Sequence, residues 1–320
     1  MTLVMHVGTN DWRHCRFAVS PLHETTAALR MVRRVRDGEL APDLPWEIAA
    51  VRRAAELPLA TLLDLLPRGS WSPDVLNPPP SGPQQAFEDE LQLVADVRAD
   101  RFAEELTICR SAQGLSASQA DPEAQQAEIL HLLELAWREL LLPSWPQLRD
   151  LLSSDVAVRA RHLAAGGLAA VLADLHPQVR LVGSSIVVGI AHTDDVQLGG
   201  RGLTLLPTAW GSGVGAMWHL PWQPAVTYPA RGTWAAWTPG HSSLGRLLGR
   251  TRGSLLQALS TPATTTGLAY RCNVPLSTAS DHLAALRQGG LTTALRSGHA
   301  VEHRRTDLGD ALVAASMKSP

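Results

Sequence analysis

The sequence predicts an α+β fold in two parts: a large amino-terminal domain of helices and antiparallel sheet over 1–243, then a winged helix-turn-helix domain over 244–320. Three observations predict it. From about Leu247 to Val313 the order reads helix, helix, tight turn, helix, two-stranded hairpin, helix. Ahead of it, residues 179–228 are short β-branched or alternating segments split by Gly, Pro or Asp, the texture of an antiparallel meander of five or six strands. Charge divides the same way: residues 244–320 hold nine Lys+Arg against four Asp+Glu, a balance of +5, while 1–243 hold 19 against 26, a balance of −7. The near-neutral total of −2 therefore conceals a basic carboxy-terminal part.

Taken in order, residues 1–20 read as one or two short strands ending at Ser20-Pro21. Serine there is a helix N-cap and proline a first helical residue whose missing N–H costs nothing, so a helix is expected over Leu22–Val35. Trp46–Glu56 and Leu59–Leu66 read as two more helices parted by Pro58. Pro67–Pro83 carries Pro73, Pro78, Pro79, Pro80 and Pro83 and cannot be regular structure. It is expected as a stiff loop draped over the helices, with Trp71, Val75 and Leu76 to bury. Gln84–Arg110 reads as one helix with an acidic start, and Gly114–Asp121 as a polar break. Pro122–Leu142, Trp145–Ser153 and Val156–Leu175 form a second helical block, in which Leu132, Leu135, Ala136 and Leu140 share a face. The strands follow at Val179–Val182, Ser185–Ile190, Val196–Leu198, Leu203–Leu206, Val214–Trp218 and Ala225–Tyr228. Gly232–Ser243 is a loop into one Leu-rich helix, Leu244–Leu259.

In the terminal part, Thr264–Cys272 is a short amphipathic helix, Asn273-Val274-Pro275 a turn, and Ser277–Leu291 the second helix of the motif. At about 100° per residue, Ala279, Leu283 and Leu286 fall on one face and must look into the core. Ser277, Asp281, Ala284 and Gln288 take the opposite face, with Thr278 and Ser280 at its shoulders. Small polar groups near the amino end suit a helix in the major groove of DNA. Hydroxyls bond phosphate or base edges, and a carboxylate accepts from a cytosine amino group. Asp281 also repels phosphates, which counts the other way. Thr292–Arg296 and Val301–Thr306 flank Ser297-Gly298-His299-Ala300, a wing whose tight turn needs Gly298 at positive φ. Arg287, Arg296, Arg304 and Arg305 are the candidate phosphate clamps, with His299 at the wing tip; otherwise they are solvated surface. His282, at the edge of the buried face, reads as a core-edge histidine rather than a metal ligand.

The run Thr278-Ala279-Ser280-Asp281-His282-Leu283-Ala284-Ala285-Leu286-Arg287-Gln288-Gly289-Gly290-Leu291, with Arg296-Ser297-Gly298 and Val301, resembles the T-V-S-x-H-L-x-x-L-x-x-A-G-L … G-x-x-V pattern of ArsR-type winged-helix regulators, over about 70 of 320 residues. Phe17-Ala18-Val19-Ser20-Pro21-Leu22, the Trp-Pro-rich segments and Gly199-Gly200-Arg201-Gly202-Leu203 are similar to the longer actinobacterial members, whose amino-terminal domain is uncharacterised. The resemblance implies a homodimer that binds double-stranded DNA, usually as a repressor, and is released by an effector. There are departures. Only Cys272 stands where the family's metal sensors carry a thiolate motif, so no metal is expected there. Gly267 falls inside the first helix of the motif, and Pro275 takes the place of a serine cap.

Ten tryptophans stand beside two tyrosines and three phenylalanines, and Trp210, Trp218, Trp222, Trp234 and Trp237 lie on or beside the expected sheet. They are either core between sheet and helices or the lining of a pocket for a small apolar or aromatic ligand. His192, Asp194 and Asp195 form a polar cluster at a hairpin, either a cation site or an Asp-rich turn that needs no metal, and Arg13, His14 and Arg16 surround Cys15 in a way that would lower a thiol pKa. Three widely spaced cysteines, no signal-peptide pattern and no apolar run of about 20 residues point to a soluble cytoplasmic protein without a membrane partner. Phosphate-loop, nucleophile-elbow and zinc motifs are missing, so neither enzyme activity nor a cofactor is expected. Two other classes compete: a winged helix that docks protein instead of DNA, and a ligand-processing enzyme fused to a DNA-binding head.

Overall fold

The computed structural model describes the chain except residues 41, 43, 67–72, 191, 212, 232–242, 260–261, 273, 298–299 and 318–320, and except the side chains of 45, 243, 246, 296–297, 300 and 314–317. It divides into an amino-terminal unit of Met1–Pro42 with Trp46–Ala230 and a carboxy-terminal unit of Arg231–Pro320 with the short piece Asp43–Pro45. The sequence boundary at 243/244 thus stands against a structural one at 230/231, with most of the intervening loop outside the described residues.

In the amino-terminal unit the strands are β1 (Leu3–His6), β2 (Arg16–Phe17), β3 (Val179–Val182), β4 (Ser185–Val188), β5 (Asp194–Gln197), β6 (Thr204–Thr208), β7 (Gly215–Met217) and β8 (Ala225–Pro229). All six strands expected after residue 178 are present, but the meander is not. They form two four-stranded mixed sheets, β3-β4-β1-β5 and β2-β6-β8-β7, each completed by a strand from the first 17 residues. β1 runs antiparallel to β4 and parallel to β5, and β6 runs parallel to both β2 and β8. The physical reason lies in the burial of β6 and β8, every residue of which is covered. Strands covered on both faces suit parallel pairing, and alternation says nothing of which strand comes alongside. The core joins Leu3 and Met5 of β1 to Val171, Leu172 and Leu175, Ile186 and Val188, Leu205, and Val226 and Tyr228.

Between β1 and β2 lies a short helix, α1 (Thr9–Arg13), which the strand reading missed. Its Asp11 carboxylate accepts from the N–H of Gly8 (2.8 Å) and of Gly202 (2.9 Å), tying the first turn to the Gly199–Leu203 segment. Arg201 in that segment donates to the carbonyls of Leu198, Trp218 and Trp222.

Helices α2 (Pro21–Arg36), α3 (Pro45–Ala54) and α4 (Ala60–Leu65) follow as expected. Ser20 caps α2, accepting from the N–H of His23 (2.9 Å). Sequence did not reveal that Glu90 completes this cap, accepting from Ser20 Oγ (2.8 Å) and Leu22 N (2.9 Å). The proline-rich loop is draped as expected, with Val75 and Leu76 fully buried in a short 3₁₀ turn; Trp71 lies outside the described residues. Gln84–Arg110 is two helices, α5 (Phe87–Ala95) and α6 (Ala99–Ala112). The break holds because Gln126 Nε2 donates to the freed carbonyls of Val94, Ala95 and Val97.

Gln126 belongs to α7 (Pro122–Ala136), capped by Asp121, which continues through a π turn and a 3₁₀ turn into α8 (Trp145–Leu175). The break expected near 153–156 is absent; the kink comes at Gly167, with φ 69° and ψ −175°. One stretch of the run Pro122–Leu175 is long and apolar enough, by length and composition, to cross a membrane. The same run is interrupted at three places. Only 17% of its apolar stretch is buried, although Asp155 Oδ2 and Arg159 Nε form a buried ion pair at 3.0 Å, with the guanidinium 4.7 Å from the centre of the Tyr228 ring.

The carboxy-terminal unit comprises α9 (Ser243–Leu248), α10 (Arg250–Gln257), β9 (Ala263–Thr264), α11 (Thr265–Arg271), α12 (Leu276–Gln288), β10 (Thr292–Ser297), β11 (Ala300–Arg305) and α13 (Asp307–Met317). The single Leu-rich helix expected over 244–259 is two, parted at Gly249 (φ +85°), and a Cβ on Gly253 would press on the backbone of Gly245 at 3.2 Å. The hairpin pairs Thr292 with Arg305 through Ser297 with Ala300, and β9 adds a third strand that the sequence did not announce.

Candidate nucleic-acid interface

The helix-turn-helix pair is α11 and α12. Thr264 caps α11 by accepting from Gly267 N (3.1 Å), so Gly267 sits in the first turn as part of the cap rather than in a helix interior. Arg271 closes the other end, donating to the carbonyl of Ala258 (3.2 Å). The burial of α12 follows the helical wheel: Ala279, Leu283 and Leu286 are 0%, 1% and 2% exposed. Pro275 is its N-cap and makes no side-chain cap bond. The helix therefore begins one residue earlier than the serine start, and its first residue, Leu276, is 53% exposed. Ser277, Ser280, Asp281, Arg287 and Gln288 are exposed, and Thr278, His282 and Ala284 are half-buried.

The exit from α12 is a Schellman motif, with Leu291 N bonded to Leu286 O and Gly290 N to Arg287 O, both at 3.0 Å. Gly290 takes the left-handed turn at φ +70°. Leu291 is buried, and its carbonyl accepts from Thr306 N (3.1 Å), the residue that opens α13. These backbone bonds, with Thr306 Oγ1 donating to Gly290 O (2.6 Å), tie the end of α12 to the start of α13. Gly309 closes this junction from the other side, since a Cβ there would run into the Leu291 carbonyl oxygen.

The predicted arginines separate into groups. Arg287 and Arg304 are exposed, and no hydrogen-bond or ion-pair partner is seen for either among the described residues. Arg305 is drawn onto Asp310 of α13 at 2.7 Å, with its side chain only 14% exposed, so it braces the wing instead of offering a free charge. The Arg296 side chain and all of His299 lie outside the described residues. Arg250 and Arg252 on α10, which the sequence reading passed over, are exposed and likewise without a described partner. His303 of β11 is buried, 3.0 Å from Thr265 Oγ1, and burial followed by the charge of Arg287 lowers its pKa. That histidine is a neutral core group joining the wing to α11.

The amino-terminal unit holds a partly open cavity of about 490 Å³. One wall is a face of α2 with His23, Arg30 and Arg34; the others come from the proline-rich loop and from residues 190–227, including Trp210 and Trp218. Of the five candidate tryptophans these two line it. Trp222 is half-buried elsewhere, and Trp234 and Trp237 lie outside the described residues. Trp218 is 7% exposed and donates from Nε1 to Asp194 Oδ2 (2.7 Å), which fixes its ring. Asp194 is thereby spent on an indole, its pKa lowered by the Asp195 N–H and by Trp218. No group of three metal-ligating side chains is found among the described residues.

Two chemical readings change. Burial raises the Cys15 thiol to about 11, the Sγ donating to Asp11 O at 3.2 Å, so the neighbouring arginines do not make it a thiolate. On the first sheet, Ser185 Oγ lies 2.9 Å from His6 Nδ1, and His6 Nε2 lies 2.7 Å from Asp195 Oδ1. These are serine, histidine and aspartate in hydrogen-bonded order, but Asp195 is 70% exposed and the three sit on adjacent strands of β1, β4 and β5. Each of the three comes from a different strand, so the bonds form a polar row across the sheet.

Residues 247–293 match the model of a helix-turn-helix domain, which spans α10, α11 and α12. Residues 110–233 match the model of a family of unknown function (DUF5937), which covers α7, α8 and strands β3 to β8. No curated protein and no solved structure matches the chain. With a helix-turn-helix whose second helix shows a polar face and whose unit carries the positive charge, this is a DNA-binding transcription regulator. More narrowly, the two matches in this order fit a long ArsR-type regulator with an uncharacterised amino-terminal domain.

Proposed function

We propose that the chain is a homodimeric repressor, its paired winged helices reading a pseudo-palindromic operator and its amino-terminal unit holding a small effector. The observation that carries this is the split character of α12, with Ala279, Leu283 and Leu286 sealed in the core and Leu276, Ser277, Ser280 and Asp281 exposed at the leading end. In a major groove the hydroxyls meet base edges, Asp281 selects a cytosine amino group, and Leu276 meets a thymine methyl. Arg287 and Arg304 supply the charge that binds backbone phosphates. A second copy is favoured by Leu247 of α9 and Leu308 of α13, large apolar side chains 67% and 60% exposed. A symmetric dimer sets two recognition helices about one helical turn of DNA apart, and a protein seated there excludes other proteins from the same DNA.

The test is fluorescence anisotropy of the full chain with DNA from upstream of its own gene, against scrambled DNA, at two salt concentrations. Preference for the native fragment, weakening with salt and reduced by Ser277→Ala with Ser280→Ala, is expected. Equal binding to both fragments would refute sequence reading. Binding to neither, with a folded dimer, would favour a protein-docking winged helix, the role Asp281 and Leu276 would then serve.

A further inference from the structure

The cavity is more specific than an apolar hole. Its α2 wall presents His23, Ala27, Arg30, Met31 and Arg34, successive positions of one helical face. Arg30 has no hydrogen-bond or ion-pair partner among the described residues, unlike Arg33, Arg34 and Arg36 on the same helix, each paired with a carboxylate. The carboxylate it senses is Glu24, which is already engaged: Oε2 accepts from Ala209 N (3.0 Å), and the side chain is bonded to Thr208. Asp74 is the one carboxylate in the lining, and it is held by His219 Nδ1 at 2.7 Å. His23 is bonded through Nδ1 to Asn77 Nδ2 (2.8 Å), and burial drives its pKa down to about 3, so it adds no charge. The wall therefore keeps one cation whose counter-charge is elsewhere. The same lining includes Met217, Trp210 and Trp218, each 5–8% exposed, and the indole Nε1 of Trp210 has no described acceptor.

We propose that this cavity binds a small planar monocarboxylate, an aromatic acid, with its carboxylate on Arg30 and its ring against the Trp210–Met217–Trp218 wall. This rests on the effector reading above and names the ligand's chemistry. A guanidinium takes a carboxylate bidentately, which a neutral amide of the same shape cannot match. The volume falls within the roughly 300–1,000 Å³ of small-molecule sites, and the rings supply a flat apolar surface. Within the cavity the competing charges are Arg34, loosely paired to Glu39 at 3.6 Å, and the His219–Asp74 pair. Neither leaves an unpaired negative charge to favour a cation.

The experiment is calorimetric titration of the full chain with benzoate, 2-naphthoate and indole-3-acetate, each beside its carboxamide, repeated on Arg30→Gln and Arg34→Gln. At least one acid should bind about ten- to a hundred-fold more tightly than its amide. Arg30→Gln should abolish that preference and Arg34→Gln should largely keep it. A melting temperature near wild type certifies Arg30→Gln as folded; if it is not folded, Arg30→Lys is used, and it should retain a weaker preference. Acid and amide binding alike, or no binding of either by the folded wild type, overturns the proposal. Anisotropy of the protein–DNA complex with the bound acid then separates the two readings. Unchanged DNA affinity would leave the aromatic-acid site standing and refute the effector role.

Discussion

Glu24 offers a stability measurement whose sign and size both follow from its surroundings. The carboxyl is 0% exposed, and Oε1 has no partner among the described residues. Burial raises its pKa from 4.5 to about 7, against the downward pull of bonds from Thr208 and Ala209 and of the Arg30 charge. An acid whose folded pKa lies above its unfolded value favours folding while protonated. That stability is fully present below about pH 4.5 and is lost as pH rises through about 7. Above pH 8, with both states ionised, the loss is on the order of 3 kcal/mol, most of it incurred above pH 5. Glu24→Gln keeps an acceptor oxygen for the Ala209 N–H and cannot ionise. In urea unfolding followed by tryptophan fluorescence, its stability relative to wild type should rise by about 2–3 kcal/mol between pH 5 and pH 9. Trp210 and Trp218 belong to the same unit as Glu24 and report its unfolding. An offset equal at the two pH values would refute the burial argument.

Other consequences follow from named contacts. Glu90, buried under the α2 cap and raised to about 8 mainly by burial, should behave like Glu24 at higher pH, and Glu90→Gln should remove that later loss in the same titration. Gly202→Ala adds a Cβ that meets the His14 carbonyl at a φ of +75°, and a drop of at least ~2 kcal/mol is expected; an unchanged melting temperature would disprove the close approach. Arg287→Ala and Arg304→Ala should each flatten the salt dependence of DNA binding by about one unit. Arg305→Ala, already paired with Asp310, should leave that slope alone and lower the melting temperature instead. Burial raises Cys15, Cys109 and Cys272 to about 11, 11 and 12, so a thiol reagent at pH 8 should label them slowly until urea unfolds the chain.

The parts of this fold that sequence revealed are those decided within a dozen residues. Ser20 with Pro21 announces α2, and Ala279, Leu283 and Leu286 orient α12 without help from any neighbour. The parts it hid depend on a distant partner. Nothing in Leu3–His6 says that it will enter between β4 and β5, about 180 residues away in sequence. Nothing in Asp96–Arg98 marks the end of a helix until Gln126 arrives to receive its carbonyls. Gly249 and Gly167 were visible as glycines, but a glycine within an apolar helical run is tolerated often enough that only the positive φ shows the break.

The two candidate sites differ in legibility for the same reason. The polar face of α12 is a property of one helix, so the wheel anticipates that Ser277, Ser280 and Asp281 are exposed, and only tertiary pairing removes Arg305 from the list of free charges. The cavity is assembled from α2, the proline-rich loop and the second sheet, and its decisive residue is an arginine among four in Arg30–Arg36 that look alike in sequence. Arg33 is distinguished by Asp37, Arg34 by Glu39 and Arg36 by Asp64, which leaves Arg30. Of the tryptophans that composition singled out for a small apolar or aromatic ligand, Trp210 and Trp218 line the cavity. The cation in the same lining is what composition could not supply, and it is the ground on which a carboxylate ligand is proposed.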